Sequence, residues 1–224
     1  MYRIVSENER FVLIDKSPDV GFHTESGLLG VAEQLKSDLE LNSLYPVHRL
    51  DKMTSGLLVF AKDLEAARRL NELFRERQVD KFYLALSDRK PKKKQGLIKG
   101  QMTKGRRGSW KLVNGAHNPA RTQFVCCSVS PGLRLFLLKP LTGKTHQLRV
   151  AMKSLGAPIV GDKRYGGGGD EIDRGYLHAY AIGFKWDAEE FRFICPPEEG
   201  RLFLNKAFDQ ALLAYQDPWS LSWP

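Results

Sequence analysis

The sequence predicts an α+β fold, a mixed and largely antiparallel β-sheet with flanking helices, in one domain over residues 1–224. Three observations carry that expectation. Strand-like runs come in pairs joined by short turns, amphipathic helical stripes are few, and no repeat or interdomain linker interrupts the chain.

Taken in order, "YRIVS" and "RFVLIDK" flank the polar turn "ENE" and read as an opening β-hairpin. "SGLLVFAK", from Ser55, is a short apolar run expected to form a central strand. Asp63 is a good N-cap for a helix in which Ala66, Leu70, Leu73 and Phe74 fall on one face. "KFYLALS" alternates, with Phe82, Leu84 and Leu86 on one side and Tyr83 on the other. "TQFVCCSVS" and "LRLFLLK" flank Pro131-Gly132, a turn signal between antiparallel strands. Leu148, Ala151, Met152 and Leu155 then mark a helix that Thr145 is placed to cap and Gly156 to end. Further strands are expected at "GYLHAYAIGFKW" and "EFRFIC". A C-terminal helix and tail, 198–224, use Leu204, Phe208, Ala211, Leu212 and Tyr215.

Charge narrows the function. Ten Lys/Arg and one acid fall between Asp88 and Lys111, so this segment holds the whole formal excess of +9. It also carries four glycines and Trp110, which reads as a flexible loop that meets a phosphate backbone. Lys92, Lys93, Lys94, Arg106 and Arg107 are the candidate RNA contacts there. The N-terminus lacks a signal-peptide pattern, and no run approaches the ~20 apolar residues of a membrane span. Three cysteines, two of them adjacent, give no disulfide framework. A soluble cytoplasmic monomer without membrane contact is expected.

Several chemistries are disfavoured. "GKT" at Gly143–Thr145 lacks the glycine five positions earlier that a phosphate-binding P-loop needs, since Leu138 stands there. The run Gly166 to Gly169 reads as a loop. His48, His146, His178 and the cysteines lack metal-ligand spacing, so no metal is expected. No G-x-S-x-G elbow is present.

What stands out is "VHRLDKMTSGLLVFAK", where His48, Arg49 and Asp51 crowd against the start of the apolar run. This stretch resembles the central catalytic motif of the RluA family of RNA pseudouridine synthases. "KFYLAL" is similar to that family's next motif, and "LLKPLTGKTHQLRVAMKSLGAPIVGDKRYG" to its third. "YLHAYAIGF" and "FICPP" resemble the closing signatures. The likeness runs from about Tyr2 to Pro197, without the additional N-terminal RNA-binding module of some relatives. The chain departs from the family with Lys16-Ser17-Pro18-Asp19 where "KPxG" is common, with Lys144 for arginine and with Ala151 for histidine.

The resemblance implies a pseudouridine-synthase-like sheet with a central active-site cleft and isomerisation of uridine in structured RNA, ribosomal before transfer RNA. No cofactor is implied, because the reaction leaves oxidation states unchanged. By position in the motifs, Asp51 is the nucleophile, Arg149 its basic partner and Tyr83 the aromatic on which uracil stacks. Arg49 enters the space left by the flipped base and Leu148 walls the uracil pocket, while His48, Thr54 and Lys144 complete the substrate-binding set. A carboxylate nucleophile must stay ionised in an apolar pocket, and a nearby guanidinium favours the charged form. The alternatives are a non-catalytic RNA-binding or RNA-chaperone protein on the same fold, and a glycosidase, which needs a second acid that no motif supplies.

Overall fold

The computed structural model describes residues 1–24, 27–115, 117–166, 169 and 171–224. In chain order the first elements are β1 (Tyr2–Glu7), β2 (Phe11–Lys16), α1 (Val31–Asp38), β3 (Tyr45–Pro46), β4 (Ser55–Ala61) and α2 (Leu64–Arg75). They are followed by β5 (Asp80–Ser87), β6 (Gln95–Lys104), β7 (Trp110–Val113), β8 (Ala120–Ser130) and β9 (Leu133–Pro140). The last are α3 (Gln147–Ser154), β10 (Leu177–Trp186), β11 (Glu189–Ile194) and α4 (Lys206–Leu212). The α+β expectation holds: strands dominate and the four α-helices among the described residues are short.

The chain gathers into two compact units. The first comprises Met1–Lys81 and His178–Pro197. Its strands run β1-β2-β4-β10, with β3 against β4 and β11 against β10. β1 and β2 form the expected antiparallel hairpin, and β2 pairs antiparallel with β4. β10 runs parallel to β4, matching His178 to Ser55 and Ala179 to Gly56, which makes the sheet mixed. β4 is buried along its whole length, as a continuous apolar run should be when covered on both faces. The Asp63 carboxylate accepts the Ala66 N–H at 2.8 Å and starts α2, which buries Ala66, Ala67, Leu70 and Leu73. Full burial of a leucine such as Leu70 contributes about 1.5–3 kcal/mol.

The second unit comprises Phe82–Leu177 and Glu198–Pro224. Its strands run β5-β9-β8-β6-β7, each antiparallel to its neighbour. Phe82, Leu84 and Leu86 are buried while Tyr83 is half-buried, as their alternation predicts. Phe82 packs against Trp219 and Trp223, ring centroids 5.1 and 5.6 Å away, so the C-terminal tail closes the apolar face of β5.

Three expectations are corrected. The basic segment is an ordered hairpin, β6 and β7 around a 3-10 turn at Arg106–Gly108, and not a flexible loop. Its glycines serve close packing: a Cβ on Gly100 would press on Leu112 and Val113, and one on Gly96 on the Phe124 ring. Thr145 does not cap α3. The residue before the helix is His146, in the left-handed region at φ 57°, without a side-chain cap. Leu204 lies outside α4, whose cap is Asn205 accepting the Phe208 N–H at 2.9 Å. Helix α1 had no counterpart in the sequence reading. Gly156 does end α3, at φ +77°, with its N–H on the Lys153 carbonyl. Gly167 and Gly168 of the predicted loop lie outside the described residues.

Gly56 is where backbone demands glycine. It has φ +104°, and a Cβ there would collide with the Ala179 backbone of β10. Gly56→Ala is therefore expected to destabilise by about 1–3 kcal/mol from backbone strain, with the clash adding to it. Urea unfolding of the two proteins checks this, and equal midpoints would contradict the close approach.

Candidate active site

Asp51 sits in a turn directly before β4. The Thr54 N–H donates to the Asp51 carbonyl at 2.9 Å, and Thr54 itself is buried. Two buried polar side chains hold this turn from either side. The Lys16 ammonium, at the end of β2 and fully buried, donates to the carbonyls of Ser17 (2.8 Å), Val20 (3.1 Å) and Lys52 (3.3 Å). It thereby ties the 17–20 loop to the residue following Asp51. On the other side, His178 Nε2 meets the Cys195 carbonyl at 2.8 Å and Nδ1 meets the Ser55 hydroxyl at 2.8 Å. A carbonyl only accepts, so Nε2 carries the proton and the hydroxyl donates to Nδ1.

Asp15, His178 and Cys195 lie close enough together to resemble metal ligands. Their donor atoms are otherwise engaged. The Arg3 guanidinium stands 3.3 Å from the Asp15 carboxylate and 3.5 Å from the Cys195 sulfur, and His178 uses both nitrogens as above. The group reads as a hydrogen-bonded brace.

His48 serves the fold. Its Nε2 accepts the Val59 N–H at 3.0 Å and its ring stacks on Phe74 with centroids 4.7 Å apart. Burial, reinforced by the Lys81 charge, pushes its pKa down to about 3, so the ring is neutral. Arg49 is exposed.

In the second unit, α3 carries Leu148 and Arg149, both buried to 8% exposure. Gln147 fixes the helix start. Its carbonyl oxygen accepts from the Thr142 hydroxyl (2.7 Å) and the Lys144 N–H (3.1 Å). Its amide donates to the Arg121 carbonyl and the Thr122 hydroxyl, both at 3.0 Å. Four bonds use the amide's donors and acceptor lone pairs fully, which a buried glutamine requires. Lys144 is half-buried beside it.

Arg149 has a partner that the sequence reading missed. Its Nε and Nη2 donate to the two carboxylate oxygens of Asp162, each at 2.8 Å. Asp162 is fully buried, and its Oδ1 also accepts the N–H groups of Arg164 (3.1 Å) and Tyr165 (3.2 Å). The Tyr165 ring lies 5.1 Å from the guanidinium carbon, within cation–π range. Asp162 and Tyr165 fall in "GDKRYG", inside the long third motif, but nothing local marks them as buried.

The basic hairpin belongs to the same unit. Lys92, Lys93 and Lys94 are exposed ahead of β6, and Arg106 and Arg107 are exposed at its turn. The Trp110 N–H donates to the Tyr165 hydroxyl at 2.9 Å, and the Arg164 guanidinium donates to the Arg107 carbonyl. The sequence-derived candidates thus divide between the units: His48, Arg49, Asp51 and Thr54 in the first, and Tyr83, Lys144, Leu148, Arg149 and the hairpin cations in the second.

An aspartate at the head of a buried strand, a braced arginine and an ordered basic hairpin are parts suited to an enzyme that modifies nucleic acid. Comparison with known proteins makes the class specific. A sequence model of RNA pseudouridylate synthases matches residues 10–154, which include Asp51, Tyr83 and Arg149. An uncharacterized RNA pseudouridine synthase of Haemophilus influenzae is 45% identical over 212 residues, covering 95% of each chain. The ribosomal large subunit pseudouridine synthase C of Vibrio parahaemolyticus is 33% identical over 90% of this chain and 67% of its own length. Among solved structures, human RNA pseudouridylate synthase domain containing 1 superposes with a TM-score of 0.77 at 28% identity, covering 97% of this chain and 95% of its own. The chain belongs to the RNA pseudouridine synthase family, and within it to the RluA type.

The neutral His48 gives a pH test. Its folded pKa of about 3 lies below the ordinary histidine value, so between about pH 6.5 and 3 the unfolded chain binds a proton that the folded chain does not. Stability is therefore lost as pH falls through that window, by up to about 1.4 kcal/mol per pH unit from this residue. His48→Gln, which keeps an acceptor for Val59 but does not titrate, should show a shallower decline in urea midpoints between pH 6 and pH 4. Parallel declines would contradict the burial argument.

Proposed function

We propose that the protein converts a specific uridine in structured RNA to pseudouridine, ribosomal RNA ahead of transfer RNA, with Asp51 as nucleophile. The observation that carries this reading is the Asp51 turn itself. A carboxylate-bearing segment ahead of the most buried strand is locked by Lys16 and by the Ser55–His178 pair, and it lies within the family-matched region. The ribosomal name of the Vibrio relative favours ribosomal RNA, and the ordered basic hairpin suits a folded RNA backbone.

The chemistry breaks the bond between uracil N1 and ribose C1′, turns the base and joins C1′ to C5. A proton leaves C5 and N1 gains one, so no electrons are exchanged. Asp51 supplies the nucleophile, and Arg149 is the basic residue of the reaction. Tyr83 offers a flat face for the extruded uracil, Leu148 an apolar wall and Arg49 a guanidinium to occupy the vacated stack.

Asp51→Asn keeps the shape and removes the charge. It should abolish pseudouridine formation on unmodified ribosomal RNA transcripts while changing RNA affinity little. Turnover by a variant shown free of deamidation would remove Asp51 from the nucleophile role. A wild-type protein that binds these RNAs without ever forming pseudouridine would support the non-catalytic alternative.

The hairpin separates affinity from chemistry. Neutralising Lys90, Lys92, Lys93, Lys94, Arg106 and Arg107 together should weaken RNA binding, and each lost phosphate contact should reduce the log K against log salt slope by about 0.7–0.9. Turnover at saturating RNA should remain near the parent value, because these groups position the substrate without touching the reacting uridine. Unchanged affinity and slope would remove the hairpin from the RNA surface.

A further inference from the structure

We infer that Asp162 is a positioning residue for the reaction. It fixes the plane and position of the Arg149 guanidinium, and so sets how that group meets the chemistry. This rests on the reading of Arg149 as the basic partner of the nucleophile. It concerns a residue to which neither the family match nor the motif comparison gives a role.

An arginine side chain has four rotatable bonds, and its guanidinium can meet a carboxylate edge-on or end-on. Asp162 removes that freedom. Its two oxygens take Nε and Nη2 at 2.8 Å each, a side-on bidentate pair that sets both the position and the tilt of the plane. The Tyr165 ring, 5.1 Å from the guanidinium carbon, restrains the same group further.

The brace is itself immobile. Gly161, at φ +79°, lies so close to the Arg174 backbone that a Cβ would collide with it, which fixes where Asp162 leaves the chain. The Asp162 carboxylate accepts two backbone N–H groups of its own turn, and the Asp162 carbonyl accepts those of Tyr165 (3.2 Å) and Gly166 (3.1 Å). The Tyr165 ring is held at its far end. Its hydroxyl accepts the Trp110 N–H and is hydrogen-bonded to His146 Nδ1, both at 2.9 Å. An active arginine gains rate only if it is already aimed when the transition state forms, and such aim comes from the groups behind it.

The test compares wild type, Asp162→Asn, Arg149→Lys and the double variant. The readouts are tritium release from uridine C5 of unmodified ribosomal RNA transcripts at saturating enzyme, and RNA affinity by filter binding. Asp162→Asn keeps one acceptor and the side-chain shape. It should slow the single-turnover rate by about 10- to 100-fold, the loss usual when a supporting partner is removed, with affinity within about two-fold. Arg149→Lys keeps the charge without the planar fork and should be slowed similarly. The double variant should be no slower than the worse single one, because Asp162 acts only through Arg149. A merely structural Asp162 predicts losses that multiply, and that result overturns the proposal. So does a wild-type rate in either single variant.

Were Asp162→Asn not to fold, Arg149→Lys alone still decides, since a point charge needs no aim. Were the wild-type chain to release no tritium, the proposed reaction fails separately. The brace is then read from the Arg149 Nε–H resonance, expected to exchange slowly with water and to vanish in Arg149→Lys. Fast exchange of that proton overturns it.

Discussion

The Arg149 guanidinium is largely withdrawn from water, and a buried cation left without a partner costs several kcal/mol. Much of the second unit follows from that constraint. Asp162 neutralises the charge, and its oxygens need further donors, which the turn after it supplies. That turn requires glycine at 161, where the Arg174 backbone presses in. Tyr165 covers the guanidinium face and anchors its own hydroxyl on Trp110 and His146. At the other end, Gln147 spends four hydrogen bonds fixing the first turn of α3.

The first unit solves a similar problem with other groups. The Lys16 ammonium is buried, and it donates to three backbone carbonyls. One of those carbonyls belongs to Lys52, so solvating the ammonium also pins the residue beside Asp51. Ser55 and His178 do the same for the start of β4. In both units, buried polar side chains saturate backbone or carboxylate groups. This favours a single arrangement, since any shift would leave a polar atom unpaired in the interior.

These features decide what could be read in the sequence. β2, β4, β5, β8, β9 and α2 were legible because their apolar periodicity is strong and their turns carry clear signals. The hairpin of β6 and β7 was not, because its lysines and arginines hide a short alternation and its glycines look like flexibility. Only the tertiary fold reveals that Gly100 abuts Leu112 and Val113. Thr145 had the composition of a cap, but the chain turns through a left-handed His146 instead. Asp51, Tyr83 and Arg149 are candidates because they stand in the motifs. Asp162 and Gln147 stand in the same third motif, but nothing in the sequence marks them as buried. A polar residue does not show in sequence whether it is solvated or saturated in a core, since its partners lie 13 or 25 residues away.

Order in the basic hairpin changes what its charge means. Cations on a floppy loop must be immobilised one by one when a polyanion binds, and each ordered side chain and backbone segment takes free energy from the association. Here β6 is paired along Gln95–Gly100 with β8 and along Gln101–Lys104 with β7, so the backbone is ordered before any RNA arrives. Only the outer parts of the lysine and arginine side chains remain to be fixed. The hairpin is also joined, through the Trp110 N–H, to the tyrosine that covers Arg149. The ordered backbone of β6 and its turn is therefore connected to the same unit that holds the arginine. The cationic side chains of Arg106 and Arg107 are exposed, whereas the groups that hold Arg149 are the buried Asp162 and Tyr165, so the two sets can be altered separately although they share a scaffold.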